Sequence, residues 1–323
     1  VGSEMCIRDR DDASVIFTKE FDARSKDIWE SCGPVNIVIG GPPCQGLSLA
    51  GKRITEDSRN QLFRAFVAAV DKLRPDVFVM ENVPGLLSMM NGKLNLAIIS
   101  SFQEIGYTSF IDYNPLILKA EDYGVPQLRR RVIYVGFRGE TIPKDFQWPP
   151  KATHSVANDS LRSNSTGQLG FASNEFIVPD LAMVPTVAEA ISDLPAILSG
   201  EGRDEMDYPV SDTPLTPYQE MMRRVPNGWA QKVWNHEAPS HTPKLIEMTK
   251  ATIPGHSVDS KYTDSKKWNP DAPSFTVKAL GSGGGSTNRR AFHYSPTTPR
   301  GSTVRENARI QSFPDWYRFI GAK

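Results

Sequence analysis

Short apolar runs alternate with helical periodicity in the first half of the chain, and this rhythm constrains the fold more than any other feature. Residues 36–39 and 76–80 are apolar runs that predict buried strands. Residues 60–73 and 94–105 repeat apolar side chains at helical spacing. Strand, helix, strand and helix in this order are typical of a parallel α/β sheet.

Two more strands are predicted at residues 109–118 and 132–137. The segment between them, residues 119–131, is too short for a crossover helix, so the two strands should be antiparallel neighbours. The second strand would then begin at the sheet edge where the parallel strands end. Ligands of open α/β sheets bind at that edge, so we expect the functional site there.

The chain changes character after residue 150. Residues 151–290 are rich in Pro, Ser, Thr, Asn and Gly, with little periodicity but with scattered aromatic side chains that favour a core. We therefore expect a second, loop-rich domain, followed by a helix at residues 304–312. The predicted boundaries are 1–10 for a leader, 11–150 for the first domain, 151–298 for the second, and 299–323 for a segment returning to the first.

Both ends of the chain are expected to be truncated. Residues 1–10 have no signal-peptide pattern and resemble translated sequencing-adaptor sequence, so we interpret them as a non-native leader. The other end stops shortly after Phe319-Ile320-Gly321, with no polar tail.

Bulk composition narrows the class of protein. The chain has no apolar run of about 18 residues, the length that predicts a membrane span. Three cysteines favour a reducing cytoplasm, and five histidines without ligand spacing indicate no metal site. Residues 220–323 carry 16 basic and 8 acidic side chains in a chain of zero net charge. That excess suits a polyanion partner, or equally a solvated surface.

Cys44 follows the first predicted strand, within Gly-Gly-Pro-Pro-Cys-Gln-Gly at residues 40–46. The prolines stiffen this loop, and Gly46 permits an unusual backbone angle or a close contact with a ligand. A cysteine after a strand is more often inert and buried, but one exposed at the ligand-binding edge can become a nucleophile. The surrounding seven residues favour the nucleophile.

An acid and a guanidinium group are expected at the same edge. Glu81 ends the second strand, where poor solvation would raise its pKa and let it act as an acid, although it could also cap a helix or form a salt bridge. Arg129 and Arg131 share one face of the last strand, with Arg130 on the other. These arginines could also be only a surface cluster.

Thiol, acid and guanidinium together fit one reaction, the methylation of carbon 5 of cytosine. Thiolate addition at carbon 6, with a proton shared at N3, makes carbon 5 nucleophilic. An arginine on O2 holds the base and stabilises the developing charge. The base must leave the duplex to be reached, which requires base flipping.

Four segments, taken in order, resemble motifs of the DNA cytosine-5 methyltransferases. They are Gly-Gly-Pro-Pro-Cys-Gln-Gly-Leu-Ser at 40–48, Glu-Asn-Val at 81–83, Gln-x-Arg-x-Arg at 127–131 and Arg-Glu-Asn-Ala-Arg-Ile-Gln-Ser-Phe-Pro-Asp at 305–315. The resemblance implies a Rossmann-like, S-adenosylmethionine-dependent methyltransferase sheet with a smaller, loop-rich target-recognition domain. It also implies double-stranded DNA as the substrate.

The resemblance assigns roles to individual residues. Cys44 would be the nucleophile, Glu81 would contact N3 and the exocyclic amine, and Arg131 would hold O2 with support from Arg129. Gln45 and Ser48 would lie near the gap in the DNA or its backbone. Thr276-Val277 resembles a Thr-aliphatic signature near the flipped base, although an ordinary edge strand is an open alternative. Cofactor contacts by resemblance are Pro43, Asn60 and Leu62.

The family pattern is incomplete in this chain. A cofactor-binding loop of the Phe-x-Gly-x-Gly type and a final Gly-Asn-Ala-Val motif are not found. We therefore expect the gene product to methylate DNA and this chain to do so inefficiently. The alternatives are a transfer RNA cytosine-5 methyltransferase, which the long insert opposes, and a DNA-binding module without catalysis. A cytoplasmic monomer is expected, with a restriction endonuclease encoded nearby as a possible partner.

Overall fold

The computed structural model describes residues 34–42, 62–109, 116–139, 142–156, 181–259, 265–277 and 291–320. The chain divides into two compact units. It passes from one unit to the other after Leu118, after Arg129 and after Pro150. The first unit therefore holds the sheet, and the segment Lys119–Arg129 belongs to the second unit together with the chain beyond Pro150.

Within its described residues, the first unit contains a five-stranded sheet and two α-helices. Its elements are β1 Ile37–Gly40, α1 Leu62–Leu73, β2 Val77–Asn82, α2 Lys93–Glu104, β3 Tyr107–Ser109, β4 Leu116–Lys119 and β5 Arg130–Arg138. The strand order is β1-β2-β5-β3, and β4 also pairs with β5. β1 and β2 are parallel, whereas β5 runs antiparallel to β2 and β3. The predicted mixture of parallel and antiparallel neighbours is confirmed.

The predicted strand at residues 109–118 differs from what is found. The structure has β3, which begins at Tyr107, and β4, which begins at Leu116; residues 110–115 lie outside the described part. β3 continues directly from α2 through Gly106, whose φ of +85° suits a glycine at a helix end. Because the chain turns at Gly106, β3 begins at Tyr107, two residues before the start predicted from the apolar residues.

Phe78 of β2 lies in the core of the first unit. Its ring stacks on Phe102 of α2 at a centroid distance of 3.8 Å and meets Phe66 of α1 edge-on at 6.3 Å. It also covers Gly136 of β5, where an added Cβ atom would lie 2.1 Å from the ring. Burying such a side chain contributes about 1.5–3 kcal/mol, so this cluster ties β2, β5 and both helices together.

β1 departs from the prediction of a buried strand. Ile37 and Ile39 are 57% and 73% exposed, whereas Val38 packs against the core. Within the described residues β1 stands at the end of the strand order, so it has a single neighbouring strand. Alternate side chains of a strand point to opposite faces, and here one face is covered and the other exposed.

The second unit is built from short elements that pair two at a time. Its strands are β6 His154–Ser155, β7 Ala182–Met183, β8 Gly202–Asp207, β9 Arg224–Val225, β10 Gly228–Trp229, β11 Lys232–Glu237, β12 Lys266–Lys267 and β13 Ala291–Phe292. Its helices are α3 Val187–Ile191, α4 Pro217–Arg223, α5 Pro243–Ala251 and α6 Val304–Ile310. The pairs are β6–β7, β8–β11, β9–β10 and β12–β13.

Threonine caps explain why helices form in a segment with little periodicity. Thr186, Thr216, Thr242 and Thr303 precede α3, α4, α5 and α6, and each accepts a main-chain N–H through its side chain. Three of them form capping boxes with a glutamate or glutamine three residues later. Such caps satisfy N–H groups at the first turn, which short helices otherwise leave unpaired.

The second unit has its own core, which contains the fully buried Trp268. Apolar side chains of α3, α4, β11 and α6 belong to the same cluster, including Val187, Met222 and Val233. Ile310 of α6 is part of the same cluster. The expectation that aromatic residues of this region form a core is confirmed for Trp268.

The division into units differs from the predicted boundaries in two places. Residues 299–320, predicted to return to the first domain, belong to the second unit because α6 contributes Ile310 and several buried charged groups to it. The segment Lys119–Arg129, predicted as a loop of the first domain, is also part of the second unit. Main-chain hydrogen bonds join it there to residues 153 and 274.

Candidate catalytic site

An acid and a guanidinium group meet at the carboxyl end of β2. Asn82 at this end pairs with Val132, so Arg131 lies just beyond the last pair of the ladder. Nε of Arg131 is 2.5 Å from Oε1 of Glu81, with the side chains 21% and 38% exposed. Their predicted placement at one sheet edge is therefore confirmed, and it follows from the antiparallel direction of β5.

The exposure of this ion pair indicates that it contributes little to the stability of the fold. Partly solvated pairs contribute only about 0–1 kcal/mol to stability, because water screens the charges and holding two long side chains costs entropy. The open alternative that Glu81 forms a salt bridge is correct as geometry. Its partner, however, is the residue that the same resemblance placed in the site.

Gly41 allows the main chain to approach the acid closely. A Cβ atom at this position would lie 2.9 Å from Oε2 of Glu81. A side chain would therefore displace the carboxylate, whereas glycine has none. The second glycine of the Gly-Gly-Pro-Pro segment thus fits a steric requirement of the Glu81 side chain.

Asn82 is a site residue that the sequence analysis did not single out. It is 5% exposed; its amide nitrogen donates to the Pro42 carbonyl at 2.8 Å, and its amide oxygen accepts from the Val83 N–H at 2.9 Å. The side chain therefore ties the end of β2 to the end of the described segment that leads to Cys44. A local signal exists, because asparagine at a strand end commonly bonds to the neighbouring backbone.

Several expected site residues lie outside the described part of the structure. These are Cys44, Pro43, Gln45, Ser48 and Asn60. Leu62 begins α1, but its side chain is not described. The structure describes the chain on either side of residues 43–61: the end of β1, with Pro42 held by Asn82, and the start of α1.

Arg129 and Thr276 are brought together within the second unit. The Arg129 N–H donates to Oε2 of Glu121 at 3.0 Å, and the Arg129 carbonyl accepts from the Ala120 N–H at 2.8 Å. The Thr276 hydroxyl donates to the carbonyl of Leu128 at 2.7 Å. Val277 packs at the margin of the Trp268 core. In the sequence the arginine motif and the Thr-aliphatic pair are separate features, whereas in the structure Thr276 bonds to Leu128, the residue before Arg129.

Glu121 also escaped the sequence analysis. It is 5% exposed, and burial raises the pKa of its carboxyl group against the opposing effect of main-chain hydrogen bonds, one of them from Arg129. An acidic residue eight positions before an arginine gives no sequence signal of this contact, because the loop must close first.

Buried ion pairs surround α6, the part of the chain that carries the Arg-Glu motif. Arg300 contacts both carboxylate oxygens of Glu306 at 2.7 and 2.8 Å, and Arg309 contacts both oxygens of Asp315 at 2.6 Å. Burial by itself would raise the pKa of Glu306, but the Arg300 guanidinium overrides it and holds that pKa well below its usual range. Such two-point pairs are specific in geometry as well as strong.

The same cluster contains a neutral histidine. Burial lowers the pKa of His293 to about 4, although Glu306 acts in the opposite direction at 3.8 Å. Neighbouring His236 is also buried, and its ring nitrogens contact the Thr303 hydroxyl at 2.9 Å and the Pro195 carbonyl at 2.8 Å. The cluster is therefore an internal structural element.

Burial of these cations changes the interpretation of the basic C-terminal third. Arg300, Arg305, Arg309 and Lys267 are at most 2% exposed. These cationic side chains donate hydrogen bonds to carboxylates and main-chain carbonyls within the unit. The net charge of residues 220–323 therefore overstates the positive surface available to a polyanion.

The family model for C-5 cytosine-specific DNA methylases matches residues 15–323. The chain belongs to the family of C-5 cytosine-specific DNA methylases. This confirms the resemblance that the four motifs indicated.

Two similar proteins, both type II methyltransferases, support the same family. The chain is 35% identical over 317 residues to type II methyltransferase M.DdeI of Desulfomicrobium norvegicum, covering 92% of this chain and 67% of the relative. It is 33% identical over 297 residues to type II methyltransferase M.XorII of Xanthomonas oryzae, covering 90% of this chain and 62% of the relative. The chain thus spans about two thirds of their lengths.

A solved structure supports the fold. A prophage-encoded E. coli protein assigned as a DNA modification methyltransferase has a TM-score of 0.62 and 23% identity, covering 96% of this chain and 76% of that one. At this identity the likeness concerns the fold, and it agrees with the mixed α/β sheet described above.

Two negative observations apply to the described residues. They contain no group of three or more His, Cys, Asp or Glu side chains arranged to hold a metal ion. None of their helices combines the length and the apolar character needed to cross a membrane.

Proposed function

We propose that this chain is a DNA cytosine-5 methyltransferase of a type II restriction–modification system. It would transfer a methyl group from S-adenosylmethionine to carbon 5 of a cytosine in duplex DNA. The observation that carries the proposal is the Glu81–Arg131 pair at the carboxyl end of β2, beside the strand that leads to Cys44. Family membership supports the same reaction.

The spacing of this pair suits one pyrimidine ring. N3 and O2 of cytosine are neighbouring positions, so groups that contact them must themselves lie side by side. Glu81 and Arg131 are 2.5 Å apart. The ion pair is then the resting arrangement of two groups that an entering cytosine separates, Glu81 moving to N3 and the exocyclic amine and Arg131 to O2.

Cys44 supplies the covalent step. Its thiolate adds to carbon 6, the bond order between carbons 5 and 6 falls, and the electron pair makes carbon 5 nucleophilic while Glu81 shares a proton with N3. Arg131 stabilises the charge on O2, and Arg129 supports the site. After methylation, carbon 5 gives its proton to solvent, the electron pair re-forms the double bond between carbons 5 and 6, and the thiolate leaves carbon 6.

The cofactor and the DNA are assigned by resemblance. S-adenosylmethionine supplies the electrophilic methyl group, and Pro43, Asn60 and Leu62 would contact it at the sheet edge where such folds bind ligands. Gln45 and Ser48 would contact the DNA around the flipped base, and Thr276-Val277 would lie near it, in a target-recognition domain formed by the second unit. We further propose a cytoplasmic monomer with a cognate restriction endonuclease.

The test uses duplex DNA that carries tritium at carbon 5 of cytosine in many sequence contexts. Adduct formation makes that hydrogen exchangeable, so the chain should release tritium with or without added S-adenosylmethionine, and Cys44→Ala should not. DNA with 5-fluorocytosine should give a covalent band on a denaturing gel with the wild type only. Equal release by both proteins would refute the proposal, and transfer to transfer RNA but not DNA would support the RNA alternative.

A further inference from the structure

The peptide group between Leu128 and Arg129 is held by two side chains. Its carbonyl oxygen, from Leu128, accepts the Thr276 hydroxyl at 2.7 Å. Its N–H, from Arg129, donates to Oε2 of Glu121 at 3.0 Å. All four residues belong to the second unit. Side chains, rather than a regular ladder, therefore fix the plane of this peptide.

The main-chain groups on either side are also paired. The Leu128 N–H donates to the Ser274 carbonyl at 2.7 Å, and the Ser274 N–H donates to the Pro126 carbonyl at 2.9 Å, which is a parallel bridge. The next rung of a parallel ladder would use the N–H of Thr276. The hydroxyl of that residue donates to Leu128 instead, so the side chain completes the ladder where the regular pairing stops.

Both holding residues are themselves fixed. Ser274, two residues before Thr276, is 2% exposed and accepts a hydrogen bond from the fully buried Trp268 indole at 2.8 Å. Glu121 is 5% exposed, where moving the carboxylate away from its N–H partners would leave a buried polar group unpaired. The Thr276 side therefore connects the peptide to the Trp268 core, and Glu121 holds it from a second buried position.

We infer that Thr276 and Glu121 are positioning residues for Arg129. By fixing the plane of the Leu128–Arg129 peptide, they set the direction in which the main chain enters Arg129. The inference rests on the function proposed above. It gives Thr276 a role through the main chain, distinct from a contact between its side chain and DNA.

The first test compares Thr276→Val with a matched control, Thr252→Val. The Thr252 hydroxyl also donates to a main-chain carbonyl at 2.7 Å, that of Met248, and it is likewise half-buried in the second unit. At saturating DNA, Thr276→Val should lower the maximal rate of tritium release at least about 10-fold, since small misplacements of catalytic groups cost this much or more. KM for DNA should stay within about twofold, and Thr252→Val should behave as the wild type.

Rescue separates positioning from general stability. Thr276→Ser keeps the hydroxyl and should restore the rate, whereas Thr276→Val should match Thr252→Val in thermal unfolding temperature. Glu121→Gln keeps an oxygen acceptor for the Arg129 N–H and should retain most of the rate that Glu121→Leu loses. Because both residues act on one peptide, the combined Thr276→Val and Glu121→Leu losses should be smaller than the product of the single losses.

Amide hydrogen exchange of Arg129 tests the same inference without catalysis. Loss of one hydrogen bond to this peptide group should accelerate the exchange about 5-fold in Thr276→Val and Glu121→Leu, but not in Thr252→Val. Unchanged exchange in both variants would overturn the inference, even if the wild type releases no tritium and the proposed function itself fails. With an active wild type, a Thr276→Val effect confined to KM would overturn it too, because Thr276 would then act on DNA binding.

Discussion

The two units use ion pairs in opposite ways. The Glu81–Arg131 pair of the first unit is partly exposed at a strand end, with side chains 38% and 21% accessible. The Arg309–Asp315 pair of the second unit is completely buried, with two-point contact and further bonds to Asp193. An exposed pair can part without much cost when a ligand enters, whereas a buried pair cannot. The difference indicates a site in one case and a structural tie in the other.

The largest loss of stability is expected from breaking the buried Arg309–Asp315 pair. Arg309→Met would remove the two-point partner of the Asp315 carboxylate and one of the two arginines that contact Asp193, the other being Arg223. Removing one member of such a pair costs about 3–5 kcal/mol, so the variant should unfold at markedly lower urea concentration. Arg318→Met is the control, because its pair with Asp204 is 49% and 37% exposed; comparable losses in the two variants would contradict the comparison.

Breaking the exposed Glu81–Arg131 pair should lower the reaction rate strongly and the stability only slightly. Arg131→Met is expected to lower the rate of tritium release about 100-fold or more, the range seen when a group stabilising developing charge is removed. Its unfolding free energy should change by at most about 1 kcal/mol. Parallel rate and urea measurements on one preparation would decide this, and a variant that is active but unstable would reverse the assignment.

Acid should weaken the buried cluster through His293. Burial holds its pKa at about 4, below the ordinary value of 6.5, so the folded state resists protonation. Its stabilising contribution is complete above pH 6.5 and is lost as the pH falls towards 4, by about 2 kcal/mol at pH 5. His293→Gln should therefore lose less stability than the wild type between pH 7.5 and pH 5 in urea titrations; identical pH dependence would contradict the expectation.

The smallest effect concerns the tie between β2 and the segment before Cys44. Asn82→Ala would leave the Pro42 carbonyl without its amide partner. Net loss of such hydrogen bonds costs about 1 kcal/mol, so thermal stability should fall only slightly. Tritium release should decline more than stability does, and Ser88→Ala, which removes an exposed side-chain contact to Gly85, is a suitable control. Equal, small losses of rate in both variants would argue against a role for Asn82 in the site.

Local pattern and loop length were sufficient to predict one half of the site. Residues 119–131 are too few for a crossover, so β5 had to run antiparallel, and this brought Arg131 beside Glu81. Periodicity likewise located α1 and α2 within two residues of their ends. These inferences succeeded because they depend on chain geometry over short distances.

The rest depended on contacts between residues far apart in the sequence. Thr276 meets Leu128 across 148 positions, and no local pattern indicates that pairing. Arg305 and Arg309 were counted as surface charge, because their burial depends in part on distant acceptors: the Trp234 carbonyl for Arg305 and Asp193, more than a hundred residues earlier, for Arg309. The exposure of Ile39 depends on which face of β1 is covered, which its apolar character does not reveal.

The excursion of the chain at Lys119–Arg129 has a consequence for protein engineering. The second unit is discontinuous in sequence, since this short stretch contributes to it before the main part begins at Lys151. A graft of the second unit into a relative must therefore carry two inserts. A chimera joined only at Pro150 would combine the Thr276 of one parent with the Leu128 of another, so the two halves of one hydrogen-bonded assembly would come from different proteins.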